Sequence, residues 1–373
     1  MFRKFKSDIL FTGYYGQLNT GDDAFIEVTS WGAEKYWNKN ASIFLGREEN
    51  LPHASRSIRG YPLSFPKTTA IQNKLLISST DYLISAGGSI LCSKFHDRDI
   101  KNYALKEKVK GGKIKLGGIG VSVGPFKTVD DEKAIQNYLY NLNFLAVRDQ
   151  ASFDYLKSLD LPFEPVNAFD LAALLPEIYG LKKKKAKDSN KKVIGVSVCP
   201  VETISNINPE AEKMRNKKTV ELLSLLDKNE NIHFKFFVIN GHKTFGDYNL
   251  TKEIISQVSP ASFELVEYNK NTEFMWNSVI NCDFVISTRL HAAIFSCFGN
   301  TPFMLNEYHR KCSDFLEDVG YHSEYRLFNN EYDPLEKSQQ IIEIINNKIN
   351  YKLPTRLNEM KCKAEYNFTK VDL

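Results

Sequence analysis

The sequence predicts an α/β protein of two domains, each built on a parallel sheet covered by helices. Three observations carry that expectation. Short apolar runs alternate with longer helix-periodic segments along the chain. A Lys-rich stretch near the middle separates one such series from another. The 373 residues, 42% of them hydrophobic and 12% aromatic, supply material for about two cores.

The first series opens with Asp8-Ile9-Leu10-Phe11-Thr12, a Gly-rich loop and a helix over about Asp22 to Trp37. Apolar runs follow at Ser42 to Leu45, Asp81 to Ser85, Lys113 to Gly117 and Phe144 to Val147. Periodic segments lie at about 98–110, 131–142 and 150–159. The second series starts with Val193 to Val198, whose Val- and Ile-rich character is that of a buried strand. A helix near 210–228, a strand from His233 to Ile239, a helix near 247–257 and a strand from Phe263 to Glu267 come next. Then follow Phe284 to Ser287, a helix from about Leu290 to Phe298, a strand Pro302 to Leu305 and a periodic segment near 336–349. The expected division is therefore a first domain over 1–175, a linker over 176–192, a second domain over 193–350 and a tail over 351–373. A cleft between the domains is expected, with ligands outside the carboxyl ends of the strands.

The formal charge is +4, but residues 182–192, KKKKAKDSNKK, hold a local +6 and leave −2 for the rest of the chain. Nucleic-acid binding would call for a distributed basic face, so no nucleic-acid partner is expected. The tract reads as a solvated linker, since like charges repel, with contact to an anionic membrane surface as the alternative. The six cysteines, at 92, 199, 282, 297, 312 and 362, form no CxxC pair, so neither a zinc ribbon nor a redox dithiol is signalled. The amino-terminal apolar run Ile9-Leu10-Phe11 is too short for a signal-peptide core, and no stretch of 18 apolar residues occurs. A cytoplasmic protein is expected.

Three Gly-rich segments follow apolar runs in the first domain: Gly13 to Ala24 (GYYGQLNTGDDA), Ser85 to Ser89 (SAGGS) and Gly117 to Pro125. Glycine allows backbone angles and close ligand approach that other residues forbid. The first segment is neither a dinucleotide fingerprint nor a P-loop, and Asp22 and Asp23 would oppose phosphate at that helix start. The Asp pair suits orienting or deprotonating a sugar hydroxyl; a structural turn and cap is the bland alternative. In the second domain, Ser287-Thr288-Arg289-Leu290-His291 stands at a strand end and helix start. Arg289 offers a planar cationic fork for carboxylate or phosphate, and His291 can exchange a proton near neutral pH. Downstream, Asn306 to Lys311 (NEYHRK) brings His309, Arg310 and Lys311 to the same sheet end.

On these segments the chain resembles the polysaccharide pyruvyltransferase family. The matching residues are GYYGQLNTGDDA, Gly87 and Gly88, GIGVSVGPF at 118–126, VRDQAS at 147–152 and, above all, STRLHAAIFSCFGNTPFMLNEYHRK at 287–311. The resemblance spans about residues 8 to 320. It implies two Rossmann-like domains facing a cleft, similar to the GT-B glycosyltransferases, and transfer of pyruvate from phosphoenolpyruvate to a saccharide as a ketal in cell-surface polysaccharide biosynthesis. It implies catalysis by His291 and Arg289, and donor binding by Arg289, Lys311, His309 and Arg310. Acceptor binding falls on Gly16, Asn19, Gly21, Asp22, Asp23, Gly87 and Gly88. The acceptor is a saccharide that a lipid carrier can present, with peripheral contact at the inner face of the membrane. Neither a cofactor nor a metal is expected beyond phosphoenolpyruvate as co-substrate. One departure stands out: where family members often carry an Arg at the end of the second domain's first strand, this chain reads GVSVCPVE, with Cys199. Two other readings stay open, a nucleotide-sugar-dependent glycosyltransferase on the same architecture and a catalytically silent saccharide-binding relative.

Overall fold

The structure, a computed structural model, describes residues 5–53, 58–63, 67–181, 191–200, 208–329 and 331–373. The Lys tract over 182–190 and the residues following Pro200 up to 207 lie outside the described residues. Two compact units emerge. The first comprises Met1–Gln17, Asp22–Ile178 and Asn358–Leu373; the second comprises Leu18–Gly21 and Tyr179–Leu357.

In the first unit, strands β1 (Ser7–Thr12), β2 (Ser42–Phe44), β3 (Thr80–Leu91), β4 (Lys115–Val123), β5 (Phe144–Val147) and β6 (Val166–Asn167) form one sheet in the order β2-β1-β3-β4-β5-β6. Every pairing is parallel. Its helices are α1 (Thr20–Trp37), α2 (Thr69–Ile77), α3 (Ile100–Val109), α4 (Val129–Leu139), α5 (Gln150–Lys157) and α6 (Leu175–Tyr179). The sheet's apolar side chains Leu10, Leu83, Leu116, Val121 and Leu145 pack with Ile100, Ala104, Ile135 and Leu156 from the helices. Strand order reverses direction at β1 and β3, which makes the loops after those two strands the natural crevice of this sheet.

Gly87, Gly88 and Gly120, expected in loops, lie inside β3 and β4 at positive φ (75°, 82° and 59°). Their conformation shifts the register between the two strands, and pairing then resumes at Leu91 with Val123. The expected tail over 351–373 contains a helix (Leu357–Thr369) that belongs to the first unit.

In the second unit, β7 (Lys192–Ser197), β8 (Ile232–Phe237), β9 (Phe263–Val266), β10 (Phe284–Ser287) and β11 (Phe303–Leu305) run in the order β11-β10-β7-β8-β9, again all parallel. The helices are α7 (Pro209–Asp227), α8 (Tyr248–Val258), α9 (Thr272–Ile280), α10 (Leu290–Phe298), α11 (Arg310–Asp318) and α12 (Pro334–Ile345); the returning carboxyl-terminal helix is α13. Here the order reverses between β7 and β10, which places Cys199 and Arg289, just beyond those strands, at the switch point. Most of the helices start on a capping side chain: Asn208 accepts from the Ala211 amide before α7, and Asn271 from the Phe274 amide before α9. Asp247 and Arg289, the residues preceding α8 and α10, do not cap them. They bind each other instead.

Candidate functional site

Arg289 projects from the β10–α10 junction. Thr288 fixes that junction by donating its amide to the Ser197 carbonyl (2.8 Å). The Ser287 hydroxyl donates to the Arg289 carbonyl (2.6 Å), so its oxygen is left to accept from the Ser197 hydroxyl at 2.8 Å. The Arg289 Nε–H donates to both Asp247 oxygens, at 2.9 and 3.0 Å, and Nη2 donates to Oδ1 as well. Asp247 thus grips one edge of the guanidinium; Nη1 and the outer hydrogen of Nη2 lie on the other edge, the geometry that receives a planar anion.

Asp247 is fully buried, and burial pushes its carboxyl above the ordinary range while Arg289 and backbone amides pull it back. Its Oδ2 also accepts from the Asn240 amide (2.9 Å), and its own amide donates to the Asn240 carbonyl (2.8 Å). Asn240, just beyond β8, pairs in turn with Asn19 of the first Gly-rich loop as an antiparallel bridge. The Thr20 amide donates to the Ile239 carbonyl (3.0 Å), and the Gly241 amide to the Leu18 carbonyl (2.8 Å). Leu18–Gly21 therefore belongs structurally to the second unit.

That docking brings Gly21 against His291. A Cβ on Gly21 would lie 2.1 Å from His291 Nδ1, so only glycine leaves the imidazole where it is. Asn19, Gly21, Asn240, Asp247, Arg289 and His291 form one closed circuit around the switch point. Two of the residues expected to bind acceptor thus adjoin the residues expected to bind donor.

A third cation reaches the same strand end. Arg215 of α7, fully buried, donates from Nη2 to the Cys199 carbonyl (3.4 Å), sits 3.7 Å from Glu212 and lies 5.1 Å from the Tyr308 ring centre. Burial pushes the Cys199 thiol up to about 11, while the fields of Arg289, Lys311 and Arg215 act to lower it and Asp247 to raise it. Cys199 is consequently a protonated thiol at neutral pH, within the fields of three cations and one carboxylate. The cation expected at position 199 is missing there, and Arg215 delivers one from the neighbouring helix. Lys311 is exposed at the start of α11; His309 caps that helix by accepting the Lys311 amide at 3.2 Å, and Arg310 pairs with Asp314 at 3.4 Å on the helix surface. Arg289 and Lys311 share the field at Cys199, whereas Arg310 is engaged along its own helix.

In the first unit, Asp22 is half-buried and Asp23 buried in the first turn of α1, so Asp23 is enclosed rather than presented to an acceptor. Gly16, at positive φ (71°), backs onto Asn50. A Cβ on Gly87 would meet Phe25 at 2.3 Å, which is close strand–helix packing; at Gly88 it would meet nothing nearer than 3.6 Å. Arg148 ties the family-like segments together: it donates to Asp170 (2.7 Å), Ser122 (2.9 Å) and Ser89 (3.1 Å). Sequence reading missed Asp247, Arg148 and Arg215. Asp247 stands where an ordinary helix cap would, and nothing in its neighbourhood distinguishes a cap from a partner 42 residues away. Among the described residues no group of three His, Cys, Asp or Glu side chains is placed to hold a metal ion, and no helix is long and apolar enough to cross a membrane.

The model of the family described as polysaccharide pyruvyl transferase matches residues 19–310, which contain Asn19, Gly21, Asn240, Asp247, Arg289 and His291. The chain belongs to that family. Membership makes it a transferase. Among curated proteins none matches the sequence. Solved structures of similar fold include a putative UDP-N-acetylglucosamine 2-epimerase from Listeria monocytogenes, with TM-score 0.62, 8% identity and 98% of each chain covered. The UDP-GlcNAc 2-epimerase from Methanocaldococcus jannaschii gives 0.58 at 12% identity, covering 93% of this chain and 94% of that one. The Neisseria meningitidis enzyme bound to UDP-GlcNAc gives 0.55 at 11%, covering 97% and 96%. These likenesses show the fold, of GT-B type, with two parallel sheets.

Proposed function

We propose that this pyruvyl transferase takes pyruvate from phosphoenolpyruvate and places it on a saccharide as a cyclic ketal. The observation that carries the reading is the Asp247-held guanidinium of Arg289, set beside His291 and within the shared field of Lys311 and Arg215 at the switch point of the second sheet. Phosphoenolpyruvate bears a carboxylate and a phosphate and needs several cations simply to be held. Arg289, with its outer edge, and Lys311 supply them, and Arg215 adds positive potential from below.

His291, protonated, gives its proton to the methylene carbon of phosphoenolpyruvate, which becomes a methyl group and leaves positive character on the adjacent carbon. The first sugar hydroxyl forms a bond to that carbon and releases its proton, restoring protonated His291. The second hydroxyl then bonds there as the carbon–oxygen bond to phosphate breaks; its proton leaves on the phosphate. As the carbon–oxygen bond breaks, the negative charge gathering on the phosphate falls among cations already arranged around an anion, so little reorganisation accompanies that step. We further place this reaction in the assembly of cell-surface polysaccharides, on the cytoplasmic side, with an acceptor that a lipid can carry; the family description supports the saccharide acceptor.

Ligand-induced thermal stabilisation tests the donor. A ligand that binds only the native protein adds about 2.7 kcal/mol at ~100 times its Kd. We expect phosphoenolpyruvate to raise Tm, and the increase to vanish in Arg289→Lys, which cannot keep the side-on contact and also present a planar edge. A rise with UDP-GlcNAc and none with phosphoenolpyruvate would overturn the donor assignment.

A further inference from the structure

The loop between β8 and α8, Asn240 to Tyr248 (NGHKTFGDY), is stiffened by its own hydrogen bonds. The His242 amide donates to Asn240 Oδ1 (3.0 Å), and the amides of Thr244 and Phe245 both donate to His242 Nδ1, at 3.2 and 3.1 Å. Asp247 closes the loop through Asn240 in both directions. Gly246 is enclosed, since a Cβ there would lie 2.2 Å from the His242 carbonyl oxygen. This ordered loop holds an apolar ring in water: Phe245 is 53% exposed, with one face stacked on His242 at 5.0 Å between centres and 20° between planes. Tyr248, 39% exposed, stands three residues on.

A lone exposed aromatic means little, but here a rigid loop fixes its orientation at the carboxyl end of a strand. A ring ordered before binding loses little freedom when a ligand arrives. We propose that Phe245 is a stacking platform for a pyranose ring of the saccharide substrate. Phe245 precedes Asp247, which grips Arg289, by two residues, a chain distance of at most about 7 Å. The platform therefore stands on the same short loop that holds the Arg289 guanidinium. The loop's amides at His242, Thr244, Phe245 and Asp247 are all occupied internally, so they cannot read the edge of a nucleobase. What the platform offers is an apolar face, together with the His242 Nε2–H, which carries the proton of the neutral ring because Nδ1 accepts. An apolar C–H face flanked by hydroxyls matches it.

The choice of a saccharide rests on the transferase reading; the platform rests on the loop. Saturation-transfer NMR on the full-length protein, without phosphoenolpyruvate, separates them. The probes are methyl glycosides of glucose, galactose, mannose and N-acetylglucosamine, with uridine as control. We expect ring C–H signals from at least one glycoside, about tenfold weaker in Phe245→Ala and retained in Phe245→Tyr, with Tm unchanged in both. Three results would overturn the platform: no glycoside signal in the parent protein, signals unchanged in Phe245→Ala, or uridine signals that depend on Phe245. Glycoside contact through Phe245 in a protein that transfers no pyruvate from phosphoenolpyruvate would keep the platform and remove the proposed donor reaction.

Discussion

Holding Arg289 is a task for a single buried carboxylate, and replacing Asp247 by Asn tests it with little change of shape. By freeing the guanidinium, Asp247→Asn is expected to lose on the order of 10²-fold in transfer rate. Folding raises the Asp247 pKa, so the native protein takes up this proton more readily than the unfolded chain. Acid does not unfold the protein through this group; the stability it contributes is lost instead as pH rises through the folded-state value. Activity should accordingly fall on the acid side at a higher pH than ordinary carboxylates titrate, ahead of any fall in Tm, and pH–rate profiles of parent and Asp247→Asn would show that limb disappear. An unchanged profile would mean that Asp247 does not govern Arg289. Gly21 offers a second test. The alanine methyl would occupy the place of His291 Nδ1, so Gly21→Ala must displace the imidazole. Its expected signature is a loss of about 10²-fold in kcat with phosphoenolpyruvate-induced stabilisation intact, because the Arg289 contacts are untouched. Loss of both would assign Gly21 to donor binding. Arg289 and His291 could be read from the sequence because cation and imidazole stand two apart at a strand end. Asp247 could not, and Gly21, expected on the acceptor side, gained its contact with His291 only from the fold, since such meanings depend on which residues the fold brings together.

At the scale of elements, legibility followed burial on both faces. Strands β1, β7 and β10 are almost entirely enclosed, so their apolar runs stand out. Helix α2 shows the opposite case. It buries Gln72 and Asn73 while leaving Ile71 64% exposed, so its pattern runs against ordinary amphipathicity. The reason is local. Gln72 donates to and accepts from the Leu63 backbone, both at 2.9 Å, and Asn73 accepts from the Tyr61 hydroxyl at 3.0 Å, so the polar face pins the segment at 61–63. The glycine pair in β3 misled for a related reason. Glycine signals a turn when nothing else is known, but pairing with β4 carried this backbone on as a strand through a register shift after β1 had ended opposite Ser85. Helix α13 carries its buried residues Met360, Ala364, Asn367 and Phe368 in a helical stripe, yet so much Lys, Glu and Asn surrounds them that the segment resembles a solvated tail.

Across the whole molecule, the order of the chain and the order of the units do not coincide. The first unit is completed only by the last 16 residues, Asn358–Leu373, and the second borrows Leu18–Gly21 from near the start. A division drawn along the sequence misses both exchanges, because contacts so distant in the chain leave no periodic trace. The return of α13 is substantial. Asn367 accepts the Gly120 amide inside β4 at 2.6 Å and donates to the Phe169 carbonyl at 2.8 Å. Phe368 fills the notch at Gly32 and lies against Trp37 and Tyr36 of α1. Ending the chain at Leu357 would strand two buried backbone groups, at about 1–3 kcal/mol each, and forfeit about 1.5–3 kcal/mol of aromatic burial. Set against a total stability of about 5–15 kcal/mol, that loss should loosen the first sheet. Amide hydrogen exchange on the truncated protein is expected to show Gly120 and α1 exchanging far faster than in the full chain, while the amides of β7, β8 and β10 keep their protection. Equal acceleration in both sheets would mean that the units unfold together, and unchanged exchange at Gly120 would mean that α13 is dispensable to the first sheet.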